Sequence, residues 1–136
     1  MSESPEAAAP ASEVGLAPQR VAELQRDGEV DLIDVREDAE WEAGRIAGAR
    51  RIPLNELTAR AGEVARDRTV VFCCRGGSRS GMAAEAFSAD GYDAHNMIGG
   101  LVAWHDEGLP LEPEGGAVLD RGGFPDGLTK ARVHGE

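Results

Sequence analysis

Two adjacent cysteines, Cys73 and Cys74, precede a glycine pair at positions 76 and 77 that is flanked by Arg75 and Arg79. An ionised cysteine is a strong nucleophile, and its reactivity depends on how well its surroundings stabilise the negative charge. The glycines allow a tight turn in which backbone N–H groups converge on one point, and the arginines add positive charge beside it. The pattern therefore predicts a loop that holds an anion and a thiol that ionises readily.

Two elements must position this loop. Residues 69–73 form an apolar, β-branched run that is typical of a strand buried on both faces. Such a strand would deliver Cys74 to the carboxyl edge of a sheet, where open α/β sheets place their ligands. A helix predicted over 80–90 would direct the positive end of its dipole at the same point. The expected site consists of the nucleophile Cys74 and the substrate-binding residues Arg75, Gly76, Gly77, Ser78, Arg79 and Ser80.

The remaining pattern alternates strands with helices. This alternation predicts the α/β class: a sandwich whose mainly parallel sheet is flanked by helices on both faces. Further strands are predicted at 30–35, 49–52 and 92–97, and further helical segments at 18–25, 37–43, 54–64 and 101–107.

Length and charge limit the partners. With 136 residues and a formal net charge of −11, the chain suits one acidic domain, and the charge argues against nucleic acid and an anionic membrane surface as partners. No apolar run approaches the roughly 20 residues of a membrane span, and the N-terminus lacks a basic, apolar leader, so a cytoplasmic location is expected. We expect a disordered lead-in at 1–13, a folded domain at 14–112 and a Gly/Pro-containing tail at 113–136. The tail residues expected to pin it to the domain are Leu119, Phe124 and Leu128.

Three motifs, in order along the chain, resemble the signatures of the rhodanese family. Together they cover about residues 15–112. Small departures are Arg45, where the family often has His, and Cys73, where an aromatic or apolar residue is common. The first signature corresponds to residues 32–37, 40–41 and 44–49, the active-site loop to 74–80, and the closing signature to 99–104 and 108–110.

The resemblance implies a rhodanese-like sandwich fold and a sulfurtransferase that carries sulfur as a persulfide on Cys74. The implied donor is a small sulfur-containing anion such as thiosulfate, and the implied acceptor is cyanide or a thiol, with a protein acceptor also open. No cofactor is expected. A sulfur-relay or partner-binding module without free turnover is an alternative, which the sequence does not separate from an enzyme.

A cysteine phosphatase is a further alternative. Those enzymes place five residues between Cys and Arg, and this spacing holds from Cys73 to Arg79. Successive side chains of a strand point to opposite faces, so one of the two cysteines can face the loop. The glycines and the predicted helix start at Ser80 favour Cys74, and the His that usually precedes the phosphatase cysteine is missing.

Other polar and aromatic residues are assigned structural roles. Asp34 and Arg36 are predicted to pair beside the site, because buried charges are normally paired. Trp41 and Trp104 are predicted to lie in the core. No metal site is predicted, because the histidines lack ligand spacing with one another or with the cysteines. The histidines are His95, His105 and His134.

Overall fold

Strands and helices alternate along residues 15–119, which are the residues described by the computed structural model. No helix in this range is both long and apolar enough to cross a membrane. The strands are β1 (Gly15–Leu16), β2 (Val30–Asp34), β3 (Arg50–Arg51), β4 (Thr69–Cys73) and β5 (Ala94–Met97). The helices are α1 (Pro18–Arg26), α2 (Asp38–Ala43), α3 (Leu54–Leu57), α4 (Ser78–Ala89) and α5 (Gly100–Asp106), with a 3-10 turn at Ala61–Glu63.

The sheet confirms the predicted α/β class. Its strand order is β1-β5-β4-β2-β3, and each of the four pairings between neighbours is parallel. Parallel neighbours require crossover connections, and the helices that form them cover both faces of the sheet. The carboxyl ends of the strands therefore share one edge, and the loop after β4 lies at that edge.

The central strand, β4, is buried on both faces. Val70, Val71, Phe72 and Cys73 are each 0% exposed, as expected for an apolar strand between two neighbours. Side chains alternate, so Val70 and Phe72 pack on one face while Val71 and Cys73 pack on the other. Cys74 continues the alternation on the face of Phe72. The two adjacent cysteines therefore belong to opposite faces of the sheet.

Aromatic packing fixes the direction of α4. This helix and α3 cover the face that contains Phe72, whereas α1 and α5 cover the face that contains Cys73. The ring centroid of Phe87 in α4 lies 5.1 Å from that of Phe72 and 4.8 Å from that of Tyr92. Large aromatic side chains contribute much of the energy of such a contact. The contact therefore holds the last turn of α4 against the sheet.

One boundary and one additional strand differ from the prediction. α4 begins at Ser78 rather than Ser80, because Gly77 adopts a left-handed conformation (φ 103°) that ends the loop and leads directly into the helix. The sequence does not predict β1, because two residues carry no detectable period. This strand exists by pairing with the end of β5.

Part of the segment assigned to the tail packs against the domain. Val118 is 1% exposed and belongs to the core cluster on the Cys73 face. The N–H of Ala117 donates to the carbonyl of Ala43 at 2.8 Å, and Leu119 is half-buried. The lead-in at 1–13 and the expected anchors Phe124 and Leu128 lie outside the described residues.

Candidate active site

The Cys74 thiol lies at the carboxyl end of β4, against the first turn of α4. Its Sγ accepts hydrogen bonds from the N–H of Gly77 at 3.1 Å and the N–H of Ser80 at 3.4 Å. The Ser80 hydroxyl lies 3.3 Å from the same sulfur. N–H groups at a helix start have no partner within the helix, and the helix dipole adds positive potential there. The surroundings of the sulfur therefore stabilise a negative charge on it.

The start of α5 holds the first residues of the loop. The N–H of Leu101 donates to the carbonyl of Cys74 at 2.8 Å, and the N–H of Val102 donates to the carbonyl of Arg75 at 3.0 Å. A free carbonyl oxygen would repel an anion. The carbonyl oxygens of Cys74 and Arg75 instead accept hydrogen bonds from α5. The loop can therefore present N–H groups to a bound anion.

Gly100 makes the contact between α5 and the loop possible. A Cβ at this position would overlap the carbonyl oxygens of Cys74 and Arg75, and the residue has a left-handed φ of 61°. We expect Gly100→Ala to destabilise the fold by about 3 kcal/mol, the sum of backbone strain and overpacking. The loop backbone must shift, so the Cys74 thiol should also react more slowly with an alkylating agent.

Gly108→Ala is the matched control for this prediction. Gly108 is also left-handed (φ 80°), but a Cβ there would meet nothing within 4 Å. Substitution of Gly108 should lower the free energy of unfolding by about 1 kcal/mol, from backbone strain alone. Denaturant unfolding of both variants measures the difference, and equal losses would show that α5 tolerates displacement from the loop.

Asn96 supports the loop from the neighbouring strand β5. Its Nδ2 donates to the Gly77 carbonyl at 3.2 Å, and its Oδ1 accepts a hydrogen bond from the Ser80 hydroxyl at 2.6 Å. A hydroxyl has one hydrogen, so Ser80 can donate to Asn96 or to the Cys74 sulfur at any moment. The backbone fixes the two N–H contacts to the sulfur. The Ser80 hydroxyl can turn towards the sulfur when the sulfur is negatively charged. No sequence signal indicates Asn96, because its place depends on the register of β5 against β4.

Arg79 forms a two-point ion pair with Glu40 of α2. Nη1 lies 2.9 Å from Oε1 and Nη2 lies 2.9 Å from Oε2, and the side chains are only 10% and 5% exposed. Burial opposes ionisation of Glu40, but the hydrogen bonds from Arg79 and from the backbone N–H of Glu37 outweigh it and lower the pKa of Glu40. The hydrogen bond with Glu40 likewise raises the pKa of Arg79. Both partners are charged, so Glu40 offsets the positive charge that the sequence assigns to the loop at Arg79.

The predicted site residues thus fall into two groups. Gly77 and Ser80 contact the Cys74 sulfur directly. Of the others, Gly76 and Ser78 are exposed, Arg75 is half-buried, and Arg79 reaches across to α2. A buried arginine needs a carboxylate partner, so a general rule predicts that Arg79 has one if it is buried. That rule cannot select a partner 39 residues away.

Cys73 lies outside this site. It is fully buried on the opposite face, and burial raises the pKa of its thiol, with the charge of Asp34 raising it further. A thiolate at this position is therefore disfavoured. The phosphatase spacing from Cys73 to Arg79 does not describe residues around one anion, because its cysteine points away from the loop.

The predicted pairing of Asp34 and Arg36 is confirmed. Nε and Nη2 of Arg36 lie 2.8 to 3.0 Å from the Asp34 carboxylate oxygens, and both side chains are 0% exposed. Trp104 is 2% exposed, as predicted for a core residue. The prediction for Trp41 is wrong: this side chain is half-buried, with the Arg45 guanidinium 5.3 Å from its ring centre.

Within residues 15–119, no group of three or more His, Cys, Asp or Glu side chains is arranged to hold a metal ion. That the protein needs neither metal nor cofactor stays a prediction.

Known proteins share this arrangement of strands and loop. The family described as the rhodanese-like domain matches residues 17–107. A sulfurtransferase of Allochromatium vinosum is 38% identical over 99 residues, which are 71% of this chain and 90% of the relative. The crystal structure of a rhodanese-related protein from Thermoplasma volcanium has a TM-score of 0.69 and 30% identity, covering 74% of this chain and 98% of that chain.

Longer proteins also contain a similar region. The crystal structure of a thiosulfate sulfurtransferase from Pseudomonas aeruginosa has a TM-score of 0.67 and 26% identity, covering 74% of this chain but 20% of that chain. This chain spans between 41% and 59% of the length of several other curated relatives. The shared region is therefore a unit that occurs both alone and within larger proteins.

Proposed function

The chain belongs to the rhodanese-like domain family, and from that premise we propose that it moves a sulfane sulfur from thiosulfate or a similar donor to cyanide or a thiol acceptor through a persulfide on Cys74. The family and the relative named a sulfurtransferase support sulfur transfer in general. The donor, the acceptor and the covalent carrier are our proposal. The observation that carries it is the set of hydrogen-bond donors around the Cys74 sulfur.

In the first half-reaction, the Cys74 thiolate attacks the outer sulfur of thiosulfate. A bond forms between Sγ and that sulfur, the sulfur–sulfur bond of thiosulfate breaks, and sulfite leaves with the electron pair. The product is an anionic persulfide on Cys74. The N–H groups of Gly77 and Ser80, which contact Sγ, are placed to stabilise negative charge in both states.

In the second half-reaction, an acceptor removes the outer sulfur. Cyanide attacks that sulfur, its bond to Sγ breaks, and Sγ leaves with the electron pair as a thiolate, giving thiocyanate. A thiol acceptor reacts in the same way and becomes a persulfide itself. Each cycle regenerates the Cys74 thiolate, so it requires no external oxidant or reductant.

The test compares two activities on one preparation: thiocyanate formation from thiosulfate and cyanide, and hydrolysis of an aryl phosphate. We expect thiocyanate formation and negligible phosphate release. Phosphate release without thiocyanate would contradict the proposal. Persulfide formation without turnover on small acceptors would instead favour the alternative function, a relay to a dedicated protein acceptor.

The Ser80 hydroxyl should contribute to the first half-reaction. We expect Ser80→Ala to lower kcat/KM for thiosulfate about tenfold, less than an oxyanion contact is worth, because the single hydroxyl hydrogen is shared between the sulfur and Asn96. Ser88→Ala, at an exposed position on the same helix, is the control and should leave kcat/KM unchanged. If the two variants behave alike, the hydroxyl has no role in stabilising the sulfur.

A further inference from the structure

A groove of about 440 Å³ opens beside the Cys74 loop, a volume typical of small-molecule sites. Arg79, which follows the loop, forms part of its wall, and so does Val35, which packs in the same core cluster as Cys74. The groove therefore adjoins the residues that hold the reactive sulfur. Most of its wall is apolar, through Val35, Pro53, Leu54 and Met82.

The charged groups of this wall favour a ligand without negative charge. Arg79 in the wall is paired with Glu40, which does not line the groove, and it also interacts electrostatically with Glu37 of the wall, so these three groups carry a net charge of −1. Glu37 lines the groove and is exposed. Its side chain accepts a hydrogen bond from the backbone N–H of Glu40, which does not neutralise its charge. An anion that enters the groove meets this exposed carboxylate, while the Arg79 guanidinium is already hydrogen-bonded to Glu40.

We propose that this groove receives the sulfur acceptor and selects thiols that have an apolar chain and no negative charge other than that of the reacting thiolate. The proposal rests on the function proposed above and names its acceptor class. The acceptor thiolate attacks the outer sulfur of the Cys74 persulfide, the bond from that sulfur to Sγ breaks, and Sγ leaves as a thiolate while the acceptor becomes a persulfide. The apolar chain of the acceptor lies along Leu54 and Met82. The flexible thioether of Met82, which is 60% exposed, can adapt to chains of different shape.

The experiment separates the two half-reactions. The protein is loaded with thiosulfate, freed of donor by gel filtration, and mixed with propanethiol, butanethiol, mercaptopropanol, mercaptopropionate or cysteamine at equal thiolate concentration. We expect butanethiol to react about threefold faster than propanethiol, because each buried methylene favours binding. Mercaptopropionate should react about fivefold more slowly than mercaptopropanol because of its charge, whereas cationic cysteamine should not be disfavoured.

Two failures are distinguishable. If thiosulfate loads no sulfur on the protein, the proposed function itself is wrong. If sulfur loads but all thiols react at one rate, or the anionic thiol reacts fastest, the assignment of the groove is wrong while sulfur transfer stands.

Matched variants place the selection in the groove. Met82→Gln should remove the preference for the longer chain, whereas Ile98→Gln should retain it, since Ile98 is similarly exposed (53%) but does not line the groove. Glu37→Gln should raise the rate with mercaptopropionate, relative to the rate with mercaptopropanol, about fivefold. Glu42→Gln, an exposed carboxylate on the same helix, is its control and should change neither. Unaltered selectivity in both Met82→Gln and Glu37→Gln would overturn the assignment.

Discussion

Cys74→Ser is expected to lower sulfur transfer by at least about a thousandfold, whereas Cys73→Ser should keep kcat/KM within about threefold of the unmodified protein. A serine at 74 provides no thiolate to accept the sulfur. The Cys73 thiol is fully buried, its pKa is raised by burial, and it packs on the face of the sheet opposite the loop. Thiocyanate formation by the two single variants measures the contrast.

The Cys73 variant needs a stability control. Cys73→Ser should lower the free energy of unfolding by about 1 to 3 kcal/mol. The substitution places a hydroxyl, which requires a hydrogen-bond partner, in the apolar cluster on the Cys73 face. Activity is therefore compared at a temperature where denaturant unfolding shows each variant to be folded. Activity that survives Cys74→Ser and disappears in Cys73→Ser would reverse the assignment of the two cysteines.

Glu40→Gln is expected to destabilise the protein by about 3 kcal/mol at neutral pH and to slow sulfur transfer. The substitution removes the hydrogen-bonded counter-charge of the buried Arg79 guanidinium, although the shape of the side chain at position 40 is nearly kept. Because Arg79 belongs to the first turn of α4, its displacement would disturb the N–H groups that contact Cys74. Glu42→Gln is again the control, and its unfolding free energy should change by no more than about 0.5 kcal/mol.

A double-mutant cycle tests whether the two charges act on each other. Arg79→Gln combined with Glu40→Gln should recover part of the stability lost in the single variants, giving a coupling energy of about 2 kcal/mol. Additive losses would show that the two side chains stabilise the fold independently.

The stability that the Glu40 carboxylate contributes should decrease as the pH falls. The pKa of Glu40 in the folded protein lies below its ordinary value of 4.5, so the unfolded chain binds more protons between the two values. The stability that the carboxylate contributes is complete above 4.5 and is lost as the pH falls through the lowered pKa. The stability difference between the unmodified protein and Glu40→Gln should therefore shrink on acidification below 4.5. A difference that grows there would contradict the ion pair.

The sequence predicts the central strand and the orientation of its cysteines because both depend on local rules. The run at Thr69–Cys73 is apolar along its whole length, which indicates a strand buried on both faces. Strand periodicity alone then places Cys73 and Cys74 on opposite faces, as the two core clusters show. The glycine pair after this strand likewise indicates the turn that brings N–H groups to the Cys74 sulfur.

Features that depend on distant partners are not predictable in this way. Glu40 and Arg79 come together only because α2 and α4 meet beside the sheet, and Asn96 reaches Ser80 only in the observed register of β5. Val118 follows a segment without any period, yet it packs in the core cluster on the Cys73 face. The chemistry of the loop can therefore be anticipated from residues next to one another, whereas its supports and its charge balance cannot.

Mass spectrometry after incubation with thiosulfate tests the central claim most directly. Trypsin cleaves after Arg68 and Arg75, so both cysteines fall in one peptide, and fragmentation between them is needed to locate the added sulfur. After alkylation to trap the persulfide, we expect one additional sulfur atom on the fragment that contains Cys74 and none on Cys73. Sulfur on Cys73, or no added sulfur on a folded preparation, would contradict a persulfide carried by Cys74.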